Sequence, residues 1–169
     1  MSSIFETIKK SSNSILAVDM TKAKNGETIY DLKQCLKYID YIFPNESEIF
    51  TLTRENDPYK NAKKLVELGA KCAVIKRGKN GCLIYTDGLY IDIPAYSVSE
   101  VVDSTGAGDS FVAGFLYGLS HGFKLKECGI FANAVASCVI ESLGATQGFA
   151  SKKKALKRYE KMIQGDENY

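Results

Sequence analysis

The first half of the chain alternates between short apolar runs and stretches in which apolar residues recur at helical spacing. The apolar runs lie at 15–18, 41–43 and 72–75, and uninterrupted runs of this kind are typical of strands buried on both faces. Between them, the spacing predicts helices at 31–39 and 58–68. Buried strands separated by helices predict an α/β fold in three layers, with helices on both faces of a mainly parallel sheet.

The pattern changes after residue 80. Asp87-Gly88 separates two strand-like runs, 82–86 and 89–93, and this dipeptide is typical of a tight hairpin turn. A polar, strand-like stretch follows at 95–102. Beyond it, the spacing predicts only helices, at 107–120, 125–143 and 152–163.

Composition and charge narrow the class of protein. The 169 residues are 45% hydrophobic and 25% charged, which is typical of a globular domain with one sizeable core. Lys and Arg number 22 against 20 for Asp and Glu, so charge gives no reason to expect a nucleic-acid or membrane partner. No secretory signal and no apolar segment of about 20 residues stands in the sequence, and a cytoplasmic protein is expected.

Cysteine and histidine content limits the chemistry further. The five cysteines contain no Cys-x-x-Cys pair, so we expect reduced thiols rather than a zinc site or a disulfide framework. A single histidine, His121, excludes most Ser-His and Cys-His nucleophiles. Because Gly122 follows it, His121 is expected at the C-terminal cap of a helix.

The segment most indicative of chemistry is 103–109, with the sequence DSTGAGD. Gly106 and Gly108 lack side chains, so the backbone there can approach a ligand closely. The helix that begins here presents unpaired N–H groups and the positive end of its dipole, which favours an anion. Asp109 falls in the first turn, where a carboxylate can accept a proton from an attacking hydroxyl. In the alternative interpretation, Asp109 only stabilises the helix start.

This string closely resembles the signature of the ribokinase-like carbohydrate kinases, also called the phosphofructokinase-B type. Residues 44–48, PNESE, resemble the N-x-x-E motif of that family, and residues 76–81, KRGKNG, resemble its nucleotide loop after the third strand. Asn133 and Gly144-Ala145 fall where the family closes its adenine and monovalent-cation sites. The resemblance extends over about 15–149 and implies a ribokinase-like fold.

The resemblance implies a role for each of these residues. Asp109 is expected to be the catalytic base, and the backbone N–H groups of Gly106, Ala107 and Gly108 are expected to form an anion hole for the transferred phosphoryl group. The residues expected to contact the nucleotide are Asn45, Lys76, Arg77, Gly78, Lys79, Asn80, Gly81, Gly108 and Asn133.

Two metal sites are implied by the same resemblance. Glu48 is expected to help hold Mg²⁺ through water, since this cation keeps several waters and takes few carboxylates. Asp103 is expected to bind a potassium-like ion with its side chain. The backbone carbonyl groups expected to complete that ion's shell belong to Thr105, Val139, Ser142 and Gly144.

Two structural alternatives remain open from the residues alone. Asn45 and Glu48 can simply cap a helix that follows Pro44. Asn133 can be a polar residue packed within a buried helix.

The resemblance covers only the C-terminal half of such a kinase. The family's N-terminal half, with its Gly-Gly substrate motif, several central strands and a lid, has no counterpart here. Residues 1–169 are therefore expected to form a single partial domain with an unpaired strand edge near 15–18 or 72–75. Such an edge predicts self-association or pairing with a separate N-terminal half.

The expected activity is ATP-dependent phosphorylation of a hydroxyl group on a sugar or sugar acid, with Mg²⁺ and a potassium-like ion as cofactors. One alternative is a non-catalytic remnant that at most binds nucleotide. Another is a nucleoside kinase of the same fold, because the residues that separate the acceptors lie mostly in the absent half.

Overall fold

A computed structural model of the chain describes residues 2–145 and 152–166. Its strands and helices largely follow the apolar pattern. The strands are β1 Ala17–Asp19, β2 Tyr41–Phe43, β3 Cys72–Lys76, β4 Cys82–Thr86 and β5 Leu89–Ile93. The α-helices are α1 Ser2–Ser11, α2 Lys33–Leu36, α3 Glu46–Thr53, α4 Pro58–Glu67, α5 Ala107–Ser120, α6 Leu125–Val139 and α7 Lys152–Asp166.

The described residues pack as two compact units. The sheet unit contains residues 2–77 and 83–92, and the helical unit contains residues 78–82, 93–145 and 152–166. Each unit has its own cluster of buried apolar side chains. That the whole chain forms a single partial domain stays a prediction.

In the sheet unit, the five strands form one open sheet in the order β1-β2-β3-β4-β5. β1 pairs with β2 and β2 with β3 in parallel, with Val18 opposite Ile42 and Ile42 opposite Ala73. The prediction of an edge strand is confirmed for β1, whereas it is wrong for 72–75, because β3 lies at the centre of the sheet. The predicted α/β class and the hairpin of β4 and β5 are confirmed.

The core of the sheet unit joins helices to the sheet. Leu65 and Ala62 of α4 are fully buried, together with Ile42 of β2 and Ile75 of β3. The apolar positions predicted from the pattern of 58–68 are therefore those that α4 buries. Asp57 caps this helix by accepting from the Tyr59 N–H at 2.8 Å.

A buried carboxylate, Asp40, ties several segments of the sheet unit together. It accepts from the Leu16 N–H at 2.7 Å and from Lys71 Nζ at 2.7 Å, and it also pairs with Lys9 of α1. Burial by itself would raise the pKa of Asp40, but these three partners outweigh it and lower the pKa to about 2.

The helical unit is built on close contact between α5 and α6. A Cβ atom at Gly114 would lie 3.0 Å from the Cα of Ala132, and one at Gly118 would lie 3.0 Å from the Sγ of Cys128. The two helices thus approach where α5 has no side chain. Phe111 and Phe115 of α5 are buried.

Three sequence predictions differ from the structure. The predicted helix at 31–39 is a 3₁₀ helix, Ile29–Leu32, followed by the single turn of α2, and the next N–H groups also bond three residues back. The strand-like stretch 95–102 contains no strand, because the Val102 N–H bonds to the Ile140 carbonyl at 2.8 Å instead of to a ladder. α6 ends at Val139 rather than at residue 143.

The prediction that His121 caps a helix is confirmed. All five cysteines are reduced thiols, and Cys72, Cys82, Cys128 and Cys138 are buried. His121 is the C-terminal cap of α5. Within 2–145 and 152–166, no helix is long and apolar enough to cross a bilayer.

Candidate functional site

The start of α5 has the geometry of an anion site. Gly106 is its N-cap and has a left-handed backbone with φ of 77°, a conformation that a side chain would strain. Gly108 and Asp109 occupy the second and third helical positions, whose N–H groups an α-helix cannot satisfy internally. Asp109 is exposed. By contrast, the Ala107 N–H already donates to the Ser104 carbonyl at 3.1 Å.

The carboxylate of Asp103 organises the turn before the helix. One oxygen accepts from the Thr105 N–H at 2.9 Å and from the Thr105 hydroxyl at 2.7 Å, and the other accepts from the Gly144 N–H at 2.8 Å. The Thr105 hydroxyl, followed by the two N–H groups, lowers the pKa of Asp103. Three of the residues predicted to bind a monovalent cation are therefore brought together by hydrogen bonds.

The stretch 140–145, after α6, lies directly against this turn. The Ile140 carbonyl accepts from the N–H groups of Val102 and Asp103, at 2.8 and 3.2 Å. A Cβ atom on Gly106 would lie 2.9 Å from the Cβ of Ala145. Residues 102–106 therefore pack directly against residues 140–145.

Of the other predicted cation ligands, Val139 is the last residue of α6 and Ser142 lies within the stretch 140–145. The Val139 carbonyl accepts from the Ser142 N–H at 3.2 Å, which closes a turn. In the described part of the chain, no three His, Cys, Asp or Glu side chains are grouped so that they could hold a metal ion. A cation here would depend on Asp103 and on backbone carbonyl groups.

Two of the predicted nucleotide residues, Lys76 and Arg77, belong to the sheet unit and have acidic partners. Lys76 Nζ lies 2.6 Å from Oδ1 of Asp19, and Arg77 donates to both carboxylate oxygens of Asp92. Burial would raise the pKa of Asp92, but Tyr59 and Arg77 lower it. Both predicted side chains are therefore engaged in ion pairs.

Asp19 was missed by the sequence predictions. It ends β1, as Lys76 ends β3, and both lie at the carboxyl edge of parallel strands, where α/β sheets bind ligands. The available signal was its position directly after the apolar run 15–18.

Asn45 and Glu48 form a capping box at the start of α3. Asn45 Oδ1 accepts from the Glu48 N–H at 2.8 Å, and Glu48 Oε2 accepts from the Asn45 N–H at 2.7 Å. The capping alternative is thus what the structure contains. A further role toward Mg²⁺ or phosphate stays a prediction.

The rest of the predicted nucleotide loop, 78–81, belongs to the helical unit. Lys79 and Asn80 are exposed, and the Gly81 N–H donates to the Gly78 carbonyl at 3.0 Å. A Cβ atom on Gly81 would lie 2.0 Å from the Ile93 carbonyl oxygen, so this loop passes against 93–94 too closely for a side chain.

Asn133 fastens the same segment from α6. The side chain is buried, and its Nδ2 donates to the Pro94 carbonyl at 3.0 Å. The alternative interpretation, a polar residue satisfied within a buried helix, describes this contact. A role beside the adenine or ribose stays a prediction.

Comparison with known proteins gives consistent matches over most of the chain. A profile described as pfkB family carbohydrate kinase matches residues 2–152. A cytidine kinase from Thermococcus kodakarensis is 41% identical over 99 residues, which are 57% of this chain and 35% of that kinase. A ribokinase from Arabidopsis thaliana is 32% identical over 130 residues, which are 73% of this chain and 34% of that ribokinase.

Solved structures give the same result. Arabidopsis thaliana ribokinase complexed with ribose and ATP has a TM-score of 0.82 at 28% identity, and the match covers 94% of this chain and 51% of that one. A candidate ribokinase II from E. coli, solved with ATP and Mg²⁺, has a TM-score of 0.76 at 27% identity and the match covers 94% and 51%. The predicted ribokinase-like fold is confirmed. The chain spans about half the length of these structures.

Proposed function

Because the chain belongs to the pfkB family of carbohydrate kinases, we propose that it provides the ATP-binding and proton-accepting part of a kinase for a sugar or sugar acid. The single observation that carries this proposal is the start of α5. There, a left-handed Gly106 leads into a helix whose first turn holds N–H groups that the helix cannot satisfy internally and the exposed carboxylate of Asp109.

In the proposed reaction, a hydroxyl oxygen of the acceptor attacks the γ-phosphorus of ATP, the bond from that phosphorus to the β-phosphate oxygen breaks, and ADP leaves. Asp109 accepts the hydroxyl proton. The N–H groups of Gly106, Ala107 and Gly108 stabilise the negative charge that develops on the transferred group. Ala107 can donate in this way only after its N–H turns from the Ser104 carbonyl.

The nucleotide and the metal would be held by the residues that the resemblance implies for them. Lys76 and the loop 77–81 would line the nucleotide, with Asn133 beside the base or ribose and Asn45 near the phosphates. Glu48, together with Asp19, fits Mg²⁺ in chemical type, since both offer carboxylate oxygens at the carboxyl edge of the sheet. Bound Mg²⁺ would neutralise charge on the phosphates.

A potassium-like ion is proposed at the turn around Asp103. The carboxylate already bonds Thr105 and Gly144, so an ion there would join groups that the fold has brought together. The carbonyl groups offered to it would be those of Thr105, Val139, Ser142 and Gly144.

A nucleoside is the second candidate acceptor. The identity of 41% to a cytidine kinase favours it, whereas the sugar acceptor is favoured by the match to a ribokinase at 32%. An assay of the full chain with labelled ATP, Mg²⁺, K⁺ and a panel of sugars, sugar acids and nucleosides distinguishes the two. No transfer to any acceptor by a chain that binds nucleotide would instead support the remnant alternative.

Asp109→Asn tests the proposed base in the same assay. The amide cannot accept a proton but keeps the shape of the helix start, so transfer is expected to fall by about 10²-fold or more while ATP affinity is retained. Transfer within threefold of the parent chain would contradict this role.

Nucleotide binding by the chain is tested separately by thermal unfolding. Millimolar Mg²⁺-ATP is expected to raise the melting temperature, because a ligand that binds only the folded state stabilises it. Gly108→Val is expected to remove this protection, whereas Gly165→Val, at a position in α7 with nothing within 4 Å, is expected to keep it. An unmoved melting curve of the parent chain would contradict the proposed ATP site.

A further inference from the structure

Arg158 of α7 joins three segments of the helical unit from a buried position. Its side chain donates from Nη1 to Ser137 Oγ at 2.9 Å and from Nη2 to Glu141 Oε2 at 2.6 Å. The guanidinium carbon lies 4.7 Å from the centre of the Tyr96 ring. Arg158 is only 8% exposed, and a buried guanidinium keeps a fixed geometry because leaving its partners is costly.

These contacts hold residues on both sides of the C-terminal end of α6. Ser137 lies in the last turn of α6, and Glu141 lies just beyond the helix end, next to Ile140. The hydroxyl of Ser137 also donates to the Ala134 carbonyl at 2.7 Å. Arg158 therefore binds a side chain that is already fixed to the backbone of α6. The side chain of Glu141 is therefore the anchor of the irregular stretch that follows α6.

That stretch, 140–145, contacts the turn that leads into the proposed anion site. Ile140 receives the N–H groups of Val102 and Asp103 through its carbonyl, and Gly144 donates to the Asp103 carboxylate. Whatever fixes Glu141 therefore fixes the turn that leads into α5.

We infer that Arg158 is a positioning residue, which sets the anion site at the start of α5 by holding Glu141 and, through it, residues 140–145. The inference rests on the proposed function, because this positioning affects phosphoryl transfer only if residues 103–109 bind the phosphate. Without Arg158, Glu141 loses its partner on the buried side. Residues 140–145 then hold residues 102–106 less firmly.

Lys154 offers a matched control. Its Nζ also lies 2.6 Å from a Glu141 carboxylate oxygen, but the Lys154 side chain is 47% exposed. When this side chain is removed, water can solvate the side of the Glu141 carboxylate that it contacted. Lys154→Met and Arg158→Met each remove one cation from the same carboxylate. Only the second removes the contacts to Ser137 and Tyr96 as well.

The first measurement is native-state amide hydrogen exchange of the ¹⁵N-labelled full chain. In Arg158→Met, exchange at Val102, Asp103 and Gly144 is expected to accelerate at least tenfold, while the amides of β3 change less than twofold. Lys154→Met is expected to change all of them less than threefold. Acceleration below threefold at the three amides in a folded Arg158→Met would overturn the inference.

Two further variants keep the test decisive if Arg158→Met does not fold. Glu141→Gln keeps the shape of the side chain and removes its charge, so it is expected to accelerate the same three amides at least tenfold. Arg158→Lys keeps the ion pair but not the second hydrogen bond, and it is expected to give an intermediate acceleration. Unchanged exchange in Glu141→Gln would overturn the inference.

The second measurement is the affinity for Mg²⁺-ATP. It is expected to fall about tenfold in Arg158→Met and Glu141→Gln, and less than twofold in Lys154→Met. An unchanged affinity in a variant whose exchange is accelerated would overturn the positioning role. If the parent chain binds no Mg²⁺-ATP, the proposed function fails for this chain, while the exchange measurement still decides whether Arg158 positions the turn.

Discussion

Gly81 and Gly88 share one backbone conformation in very different surroundings. Their φ angles are 80° and 79°, so a side chain strains both. A Cβ atom on Gly81 would collide with the Ile93 carbonyl oxygen at 2.0 Å, whereas one on Gly88 would meet nothing within 4 Å. The pair separates the cost of backbone strain from the cost of a close approach.

Alanine substitution at both positions measures this difference. Gly88→Ala is expected to lower the free energy of unfolding by about 1 kcal/mol, from strain alone. Gly81→Ala is expected to lower it by about 3 kcal/mol or more, because the loop must also move away from residues 93–94. Urea unfolding measures both. Equal losses in the two variants would show that the close approach at Gly81 is relieved at no cost.

Asp40 gives a prediction for pH dependence. Its pKa of about 2 in the folded chain lies below the unfolded value near 3.8, so its stabilising effect is present at pH above about 4 and is lost as pH falls toward 2. Asp40→Asn is expected to cost about 2 kcal/mol at pH 7, because the amide carries no charge for the partners of Asp40 to stabilise.

The test is urea unfolding of the parent chain and the variant between pH 7 and pH 2. The difference between them is expected to shrink as pH falls through the folded pKa. The control is Glu67→Gln, since Glu67 forms an exposed pair with Lys63 at 3.8 Å and its substitution is expected to change stability by less than about 0.5 kcal/mol. A difference that is constant with pH would contradict the assigned ion pairs.

At the scale of the element, α3 depends on the capping box of Asn45 and Glu48. Asn45→Ala is expected to lower the free energy of unfolding by about 1 kcal/mol, because the Glu48 N–H loses its acceptor. Asn45→Asp keeps the cap and adds a negative charge near the proposed phosphate position.

The two variants distinguish capping from ligand binding. Asn45→Asp is expected to keep the parent's stability in urea and to weaken Mg²⁺-ATP binding at least threefold in a titration. If it is as unstable as Asn45→Ala, the box does not act as a cap. If it binds Mg²⁺-ATP as tightly as the parent chain, Asn45 does not lie near the phosphates.

The elements that the sequence predicted well are those whose burial is local. β2, β3 and β4 are apolar runs bounded by Pro44, Gly81 and Asp87-Gly88, and β5 begins directly after that turn, so neighbouring residues define their ends. The start of α5 was predicted for the same reason, because its two glycines and its acidic residues are adjacent in sequence.

What could not be predicted depends on partners far along the chain. The stretch 95–102 has strand-like spacing, but its backbone bonds to the Ile140 carbonyl, and nothing near Val102 indicates that. Asp19 and Lys76 are 57 residues apart and meet only because β1 and β3 are parallel to the strand between them. Asn133 was placed correctly in a helix, but its bond to Pro94 joins residues that are 39 positions apart in the sequence.

At the scale of the whole molecule, the exposed edge of β1 predicts association between chains. Ile15 precedes this strand and is 59% exposed, and β1 has a paired neighbour on one side within the described sheet. Unpaired edges flanked by apolar side chains recruit further strands. Light scattering coupled to size-exclusion chromatography is therefore expected to show a mass that rises with concentration.

Ile15→Lys tests whether that edge is responsible. It is expected to shift the chain toward the monomer, since a charge beside an edge strand opposes pairing. Leu143→Lys, at a 70% exposed position of the helical unit, is the control and is expected to leave the mass distribution unchanged. A parent chain that is monomeric at every concentration would contradict the prediction.

The contact of α5 with α6 at Gly114 and Gly118 has a mechanical consequence. With backbone and small side chains meeting directly, no layer of flexible side chains lies between the helices to absorb a displacement. The two helices are therefore expected to move as one rigid body, which carries at the same end the turn that leads into α5 and the stretch 140–145 that contacts this turn. A displacement of either segment along the helix axes is therefore expected to carry the other segment with it.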